Sequence, residues 1–404
     1  MRRRQRRTEP EQLAIGNQPM RLSTGFHGFP NYQLPIALLS AFFAMLKSKP
    51  TDTMSNKLPA GIVGATGAVG QRFIQLLEGH PWFEITWLAA SDRSAGKKYA
   101  EAATWRLNTP IPERIAALTV NAAAPAKDTP RLIFAALDAT AAKEIEPAFA
   151  EAGCAVVSNS SAFRMAQDVP LVIPEVNGDH TELIKTQSWY KKNGGFMVTN
   201  PNCSAIGLVM ALAPLHRRFG VEKVFVATMQ AVSGAGYPGV PSLDILGNVV
   251  PYIANEEQKM EAESRKLLGA LNGNGVTDAE ITLSAHCNRV PVEDGHTESV
   301  SVKLGKPAKQ EEIIAAWNEF RCLPQKLKLP TAPEQPVIYD PAPDRPQPRL
   351  DRDRGRGMSA VVGRLRPCNI FDWKFTVLSH NTIRGAAGAA ILNGELLKAQ
   401  GYLS

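Results

Sequence analysis

Cysteine is sparse in this chain: its 404 residues carry only five, with no CxxC pair and no His/Cys cluster at zinc spacing. Neither a disulfide scaffold nor a structural metal site fits that usage. It suits a reducing compartment and leaves single thiols free for chemistry. Long apolar runs are missing too. The best candidate, residues 34–46, has a proline at position 35 and falls well short of the ~20 residues a bilayer span requires. No internal repeat is evident.

Charge of one sign is scarce outside the N-terminus. The formal net charge is +7, but residues 1–53 hold eight Lys/Arg against three Asp/Glu, so +5 sits there and +2 in the remainder. A body so nearly neutral gives no basis for a nucleic-acid partner, and nothing calls for a membrane. The basic leader, with five arginines in its first seven residues, reads as an extension over residues 1–55, disordered or targeting, with no place in a packed fold. Its Arg-rich, acid-poor composition leaves a mitochondrial presequence open beside a cytoplasmic location.

What is present is a soluble globular composition, 44% apolar and 21% charged, long enough for about two domains. Residues 60–63 form a short apolar strand, followed by Gly64-Ala65-Thr66-Gly67-Ala68-Val69-Gly70 and a helical pattern over 71–78. A second strand over 83–89 ends at Ser91-Asp92-Arg93. Strand, glycine turn, helix and strand make a βαβ unit whose turn lets a pyrophosphate approach the N–H groups of a helix N-terminus. Ser91, Arg93, Lys97 and Lys98 offer hydroxyl and cationic partners for the 2′-phosphate of NADP, although Asp92 is the residue type that NAD would use. Strands at 131–137 and 155–158, with a helix at 141–152 between them, continue a doubly wound parallel sheet.

The most informative segment runs through Asn200-Pro201-Asn202-Cys203-Ser204 into an apolar helix. A thiol there feels the positive end of the helix, which predicts a lowered pKa. The same N–H groups are placed to hold the oxyanion formed when a carbonyl is attacked, with Asn202 an orienting neighbour. Further on, Glu293-Asp294-Gly295-His296 puts a histidine on a tight turn between strand-like runs. With an ordinary pKa it would exchange a proton with the thiol. A thiol, an imidazole and a dinucleotide fold together have a chemical purpose, since an acyl thioester accepts hydride readily.

The motifs GATGAVGQRF, SNSSAFRM, NPNCS, QAVSGAGYPG, EEQKMEAESRK, NRVPVEDGHT, DRPQPRLDRD and HNTIRGAAGAA make the chain, from about residue 58 to its end, resemble the aspartate-semialdehyde dehydrogenases of the archaeal and fungal branch. The resemblance implies an α/β fold: a Rossmann-type NADP-binding domain over 56–202, completed by 381–404, and an α+β catalytic and dimerisation domain over 203–380. It implies Cys203 as acyl nucleophile, His296 as acid/base and Gln230 as a positioning amide. Arg289 would grip the substrate α-carboxylate, Glu256 its amino group, and Lys259 and Arg164 the phosphate. For NADP it points to the turn from Thr66 to Val69, Ser91, Arg93, Ser233, Gly234 and Asn381, with no metal. Oligomerisation as a homodimer or homotetramer through the second sheet is also implied.

Other elements are readable by pattern: strands over 221–231 and 299–304, helices over 256–270 and 309–321, an irregular excursion over 330–357, and a helical end over 382–400 packed on the nucleotide domain. Residues 353–357 carry more arginine than the family pattern. Two rivals remain. A malonyl-CoA reductase of the same architecture would keep Cys203, His296 and Arg289 but need a CoA channel where Arg164, Glu256 and Lys259 stand. A non-enzymatic nucleotide- or RNA-binding protein would rely on the basic leader.

Overall fold

The structure, a computed structural model, describes residues 57–403, so the reading of the leader falls outside the described residues. The first sheet grows from short apolar strands: β1 (Leu58–Val63), β2 (Phe83–Ala90), β3 (Val120–Ala122), β4 (Leu132–Ala135), β5 (Ala155–Ser158) and β6 (Phe196–Thr199). Every residue of β4, β5 and β6 is buried, the mark of strands covered on both faces. All pairings are parallel, in the order β3-β2-β1-β4-β5-β6. The order reverses between β1 and β4, opening a crevice at their carboxyl ends. One face packs on helix α1 (Ala68–Leu77), the other on α2 (Ala139–Glu151), where Asp138 caps the N–H groups of Thr140 and Ala141. The three-residue β3 is too short to carry a readable pattern.

The second sheet contains β7 (Val221–Gln230), β8 (Thr282–Arg289), β9 (His296–Leu304), β10 (Val337–Asp340), β11 (Ala360–Pro367) and β12 (Trp373–Ser379), in the mixed order β8-β7-β9-β12-β11-β10. Here burial alternates. Val224, Val226, Val300 and Val302 face inward, while Phe225 and Met229 are exposed on the outer face. The inner face packs on α3 (Cys203–Phe219), a helix apolar all round and buried without a break from Ser204 to Leu215. Helix α4 (Glu256–Leu268) lies beside it.

Residues 330–357 are more regular than their composition implies. They supply the edge strand β10 and a helical turn at Pro348–Asp351. Arginines tie this excursion to itself: Arg345 pairs with Asp351, and of the surplus pair Arg354 reaches Asp340 at 2.8 Å and Arg356 donates to the Pro330 carbonyl at 2.8 Å. The helical end divides into a π segment (Ile383–Ala387) and α5 (Gly388–Ala399), which joins the core of the first sheet. Arg384 in the π segment makes a bidentate, fully buried ion pair with Glu175 at 2.9 and 2.7 Å. No helix among the described residues is long and apolar enough to cross a membrane.

Candidate active site

Strand β6 ends at Thr199, and the Asn200-Pro201 turn delivers Asn202 as the N-cap of α3. Its Oδ1 accepts the N–H groups of Ser204 and Ala205 at 2.9 and 3.0 Å. That satisfies two of the donors a helix start leaves open. It also narrows the oxyanion-holding donors expected from sequence, because only the Cys203 N–H remains among the first three. Cys203 is the first helical residue, partly open to the cleft. Gly385 backs it so closely that a Cβ there would stand 2.7 Å from Cys203 Cβ.

The opposite wall is set by strand register. Arg289 of β8 pairs with Gln230 of β7, Thr297 pairs with Met229, and His296 pairs with Ser379 of β12. Arg289, Gln230 and His296 therefore form one row at the sheet end, pointing inward and buried. His296 Nε2 lies 3.2 Å from Cys203 Sγ. Ala231, just past β7, ties the row together: its N–H donates to His296 Nδ1 at 3.1 Å and its carbonyl accepts from Arg289 Nη1 at 2.8 Å. A backbone N–H can only donate, so Nδ1 carries a lone pair and the ring proton belongs on Nε2, facing the sulfur.

Both titrating groups differ from the sequence expectation. Burial, reinforced by Arg289 and His380, lowers His296 to about 3, so the ring is neutral. Burial also pushes the Cys203 thiol up to about 12, with Glu256 adding to the rise and Arg164 and Arg289 opposing it. The helix start is present as foreseen, but dehydration outweighs it. The pair is a protonated thiol beside a neutral imidazole.

Around them lies a cleft of about 630 Å³ that also takes in Arg164, Glu256, Lys259, Ser233, Gly234 and Asn381. Glu256 accepts from Asn202 Nδ2 at 2.9 Å and Arg164 pairs with Glu263 at 3.1 Å. Arg289 and Lys259 make no ion pair among the described residues. Asn381 joins Gly295 N–H to Ser233 Oγ, each at 2.8 Å.

The cleft continues to the glycine turn at Gly67, Ala68 and Val69 and to the β4 crossover at residues 136–139. Gly67 caps α1 without a side-chain bond, leaving first-turn N–H groups for an anion. Gly64 has φ +80°, and a Cβ there would stand 2.3 Å from the Ala136 carbonyl. The turn hangs from the end of β2, since Gly64 and Ala65 N–H both bond to the Ala89 carbonyl. Thr66 accepts from Gln71 through its carbonyl. Ser91 and Arg93 follow β2 as exposed residues outside the Cys203 cleft. A long ligand reaching both would run along the carboxyl ends of β1 and β2.

Comparison with known proteins bears on this arrangement. The family described as semialdehyde dehydrogenase, NAD binding domain, matches residues 59–184, and the semialdehyde dehydrogenase dimerisation domain matches 212–384. The aspartate-semialdehyde dehydrogenase of Archaeoglobus fulgidus is 52% identical over 337 residues, covering 83% of this chain and 97% of that one. That of Candida albicans is 47% identical over 360 residues, 85% and 99% of the two chains. The chain belongs to the aspartate-semialdehyde dehydrogenase family. The crystal structure of the Candida albicans member with NADP superposes with a TM-score of 0.79 at 46% identity, covering 85% of this chain and 99% of that one. A second aspartate-semialdehyde dehydrogenase, from Vibrio cholerae, gives 0.67 at 27% identity with coverage of 85% and 99%.

Within this family fold, several residues around the cleft carry no sequence expectation. Glu263 is one, although it lies seven residues after Glu256 and so on the same helical face, a spacing that flags it. Lys266 is a second, its Nζ donating to the carbonyls of Arg164, Ala166 and Val169 at 2.8 to 3.2 Å. Glu298, two residues beyond His296 on the inward face of β9, is a third. It is fully buried, and burial raises it well above the usual carboxylate range.

Proposed function

We propose that this enzyme reduces L-aspartyl 4-phosphate to L-aspartate 4-semialdehyde with NADPH, through a thioester on Cys203, in the pathway to lysine, methionine and threonine. The observation that carries the reading is the Cys203 sulfur, at the start of a helix, 3.2 Å from a neutral imidazole. The charge of the cleft supports the substrate. Arg289 and Lys259 lack acidic partners, which suits a ligand with a carboxylate at one end and a phosphate at the other. Arg289 takes the α-carboxylate, Glu256 the amino group, and Lys259 with Arg164 the phosphate. The uncapped glycine turn fits the NADP pyrophosphate. Gly67, Ala68 and Val69, with Gly64 and Thr66 in the same turn, would hold the pyrophosphate, Ser91 and Arg93 the 2′-phosphate, and Ser233, Gly234 and Asn381 the nicotinamide.

Attack by Cys203 forms the C–S bond and breaks the C–O bond to phosphate, and the thiol proton leaves with the phosphate. Gln230 and Asn202 fix the acyl group and the nucleophile. NADPH, when bound, supplies the hydride that reduces the thioester. His296 Nε2–H, beside the sulfur, would donate to the oxygen that becomes negative on the carbon bound to that sulfur, which favours the tetrahedral state. Collapse breaks the C–S bond and returns Cys203 as a thiolate that regains a proton. Acting as a base on the thiol would require His296 to give up its Ala231 bond, so the ring is set to donate.

The second sheet's outer face, with Phe225 and Met229 exposed, forms the subunit contact of a homodimer or homotetramer. Phe225→Asp shifts the enzyme towards monomer in analytical ultracentrifugation. With all five cysteines free, a cytoplasmic location fits. The deciding experiment pairs two assays. Phosphate-dependent NADP reduction with aspartate semialdehyde is the expected activity. Oxidation of NADPH with malonyl-CoA, and no phosphate-dependent reaction, would overturn the substrate assignment.

A further inference from the structure

We propose that Glu263 is a positioning residue: its two carboxylate oxygens lock the Arg164 guanidinium and the nucleophile's helix cap to each other, setting where phosphate stands relative to Cys203. This rests on the assignment of Arg164 to the phosphate.

The geometry is specific. Glu263 Oε1 accepts from Arg164 Nη1 at 3.1 Å, and Oε2 accepts from the Asn202 main-chain N–H at 2.6 Å. Asn202 is the residue whose side chain starts α3, so this bond acts on the backbone immediately before Cys203. Arg164 has a second anchor, Nη2 on the Asn159 carbonyl at 2.7 Å. Its main chain is held from the same helix, where Lys266 takes the Arg164 carbonyl. Helix α4 therefore carries Lys259 into the cleft and, one to two turns further on, grips both the phosphate-binding arginine and the nucleophile's cap.

The residue type matters. Glu263 is 2% exposed, and placing a carboxylate there is costly unless its oxygens are well bonded. A purely structural link between two donors needs no charge. Two donors on two different oxygens, however, need a side chain that only accepts, and an amide supplies one acceptor and one NH₂ group. Glutamine at 263 can keep the Arg164 bond or the Asn202 bond, not both. Held by Glu263 Oε1 and by the Asn159 carbonyl, Arg164 has a fixed orientation that leaves its other N–H groups for an incoming anion.

The test uses the purified full-length enzyme in the direction of NADP reduction, with inorganic phosphate as the varied substrate. Glu263→Gln raises the KM for phosphate by about tenfold or more, leaves the KM for NADP within about twofold, and changes the rate of Cys203 alkylation by iodoacetamide. A merely structural role would move the Michaelis constants for phosphate, NADP and semialdehyde together or none. Glu263→Asp keeps the charge but shortens the reach, and it gives a smaller change in the same direction. It serves as the readout if the glutamine variant does not fold. A phosphate KM unchanged in both soluble variants, or equal losses for phosphate, NADP and semialdehyde, would overturn the proposal. If the unaltered enzyme lacks phosphate-dependent activity, the functional reading itself fails. If only the variants behave like the unaltered enzyme, the positioning role alone fails.

Discussion

The two sheets put functional groups in different places. The parallel sheet buries its strands on both faces, so its side chains are committed to the core and its proposed binding groups sit beyond the strand ends, mostly backbone N–H in a glycine turn. The mixed sheet has one face on α3 and the other open. Its proposed working groups are side chains, Arg289, Gln230 and His296, set in a row by register. Backbone sites depend on the absence of side chains, and register sites depend on pairing. Damage to one should spare the other.

The largest expected effect lies at the junction between them. Cys203→Ser should lower kcat by about 10⁴-fold or more, while NADP affinity, read by fluorescence quenching, stays close to that of the unaltered enzyme. Loss of both would mean that the two sites are not separable. Next comes the buried pair that ties the π segment behind Cys203 to Glu175. Arg384→Met leaves a carboxylate uncompensated and should cost about 3–5 kcal/mol of stability, visible as a lowered midpoint in chemical denaturation.

Two milder changes then sharpen the contrast. Gly64→Ala forces a side chain into φ +80° and against the Ala136 carbonyl, a strain of roughly 1–3 kcal/mol. It should raise the KM for NADP about tenfold or more with kcat nearly kept. Ala231→Pro is its counterpart in the mixed sheet. Ala231 already has φ −62°, so proline fits the backbone and mainly removes the N–H that His296 accepts. Kcat should fall about tenfold with cofactor KM unchanged.

The same variant has a pH signature. His296 stands at about 3 in the fold against an ordinary 6.5. Between those values the unfolded chain binds the extra proton, so stability falls as pH drops through that window. Freeing Nδ1 raises the folded value and should make the acid limb of the stability curve shallower than in the unaltered enzyme.

Legibility in the sequence follows the same division. The run at 155–158, apolar up to its closing serine, coincides with β5, and the glycine turn announces itself by composition. The helix expected over 71–78 spans Ala68–Leu77 and differs only at its termini, where small residues like Ala68 carry no periodic signal. The proposed catalytic side chains are legible residue by residue but not as a row, because pairing Arg289 with Gln230 and His296 with Ser379 is a fact of tertiary register. Nor could pKa direction be read. A helix start predicts a lowered thiol, but how much water the cleft removes is set by packing from α4, β7 and β9. Glu263 is hard to single out in the sequence, because a glutamate on an amphipathic helix reads as solvated until its two partners are in place.

The central claim is covalent and can be weighed directly. The enzyme is incubated with aspartate semialdehyde and NADP in phosphate-free buffer, quenched in acid, digested, and the peptide bearing Cys203 is measured by mass spectrometry. The account predicts an aspartyl adduct on that peptide alone, discharged when phosphate is added before the quench. An unmodified Cys203 in an enzyme that still turns over, or an adduct on another residue, would contradict it.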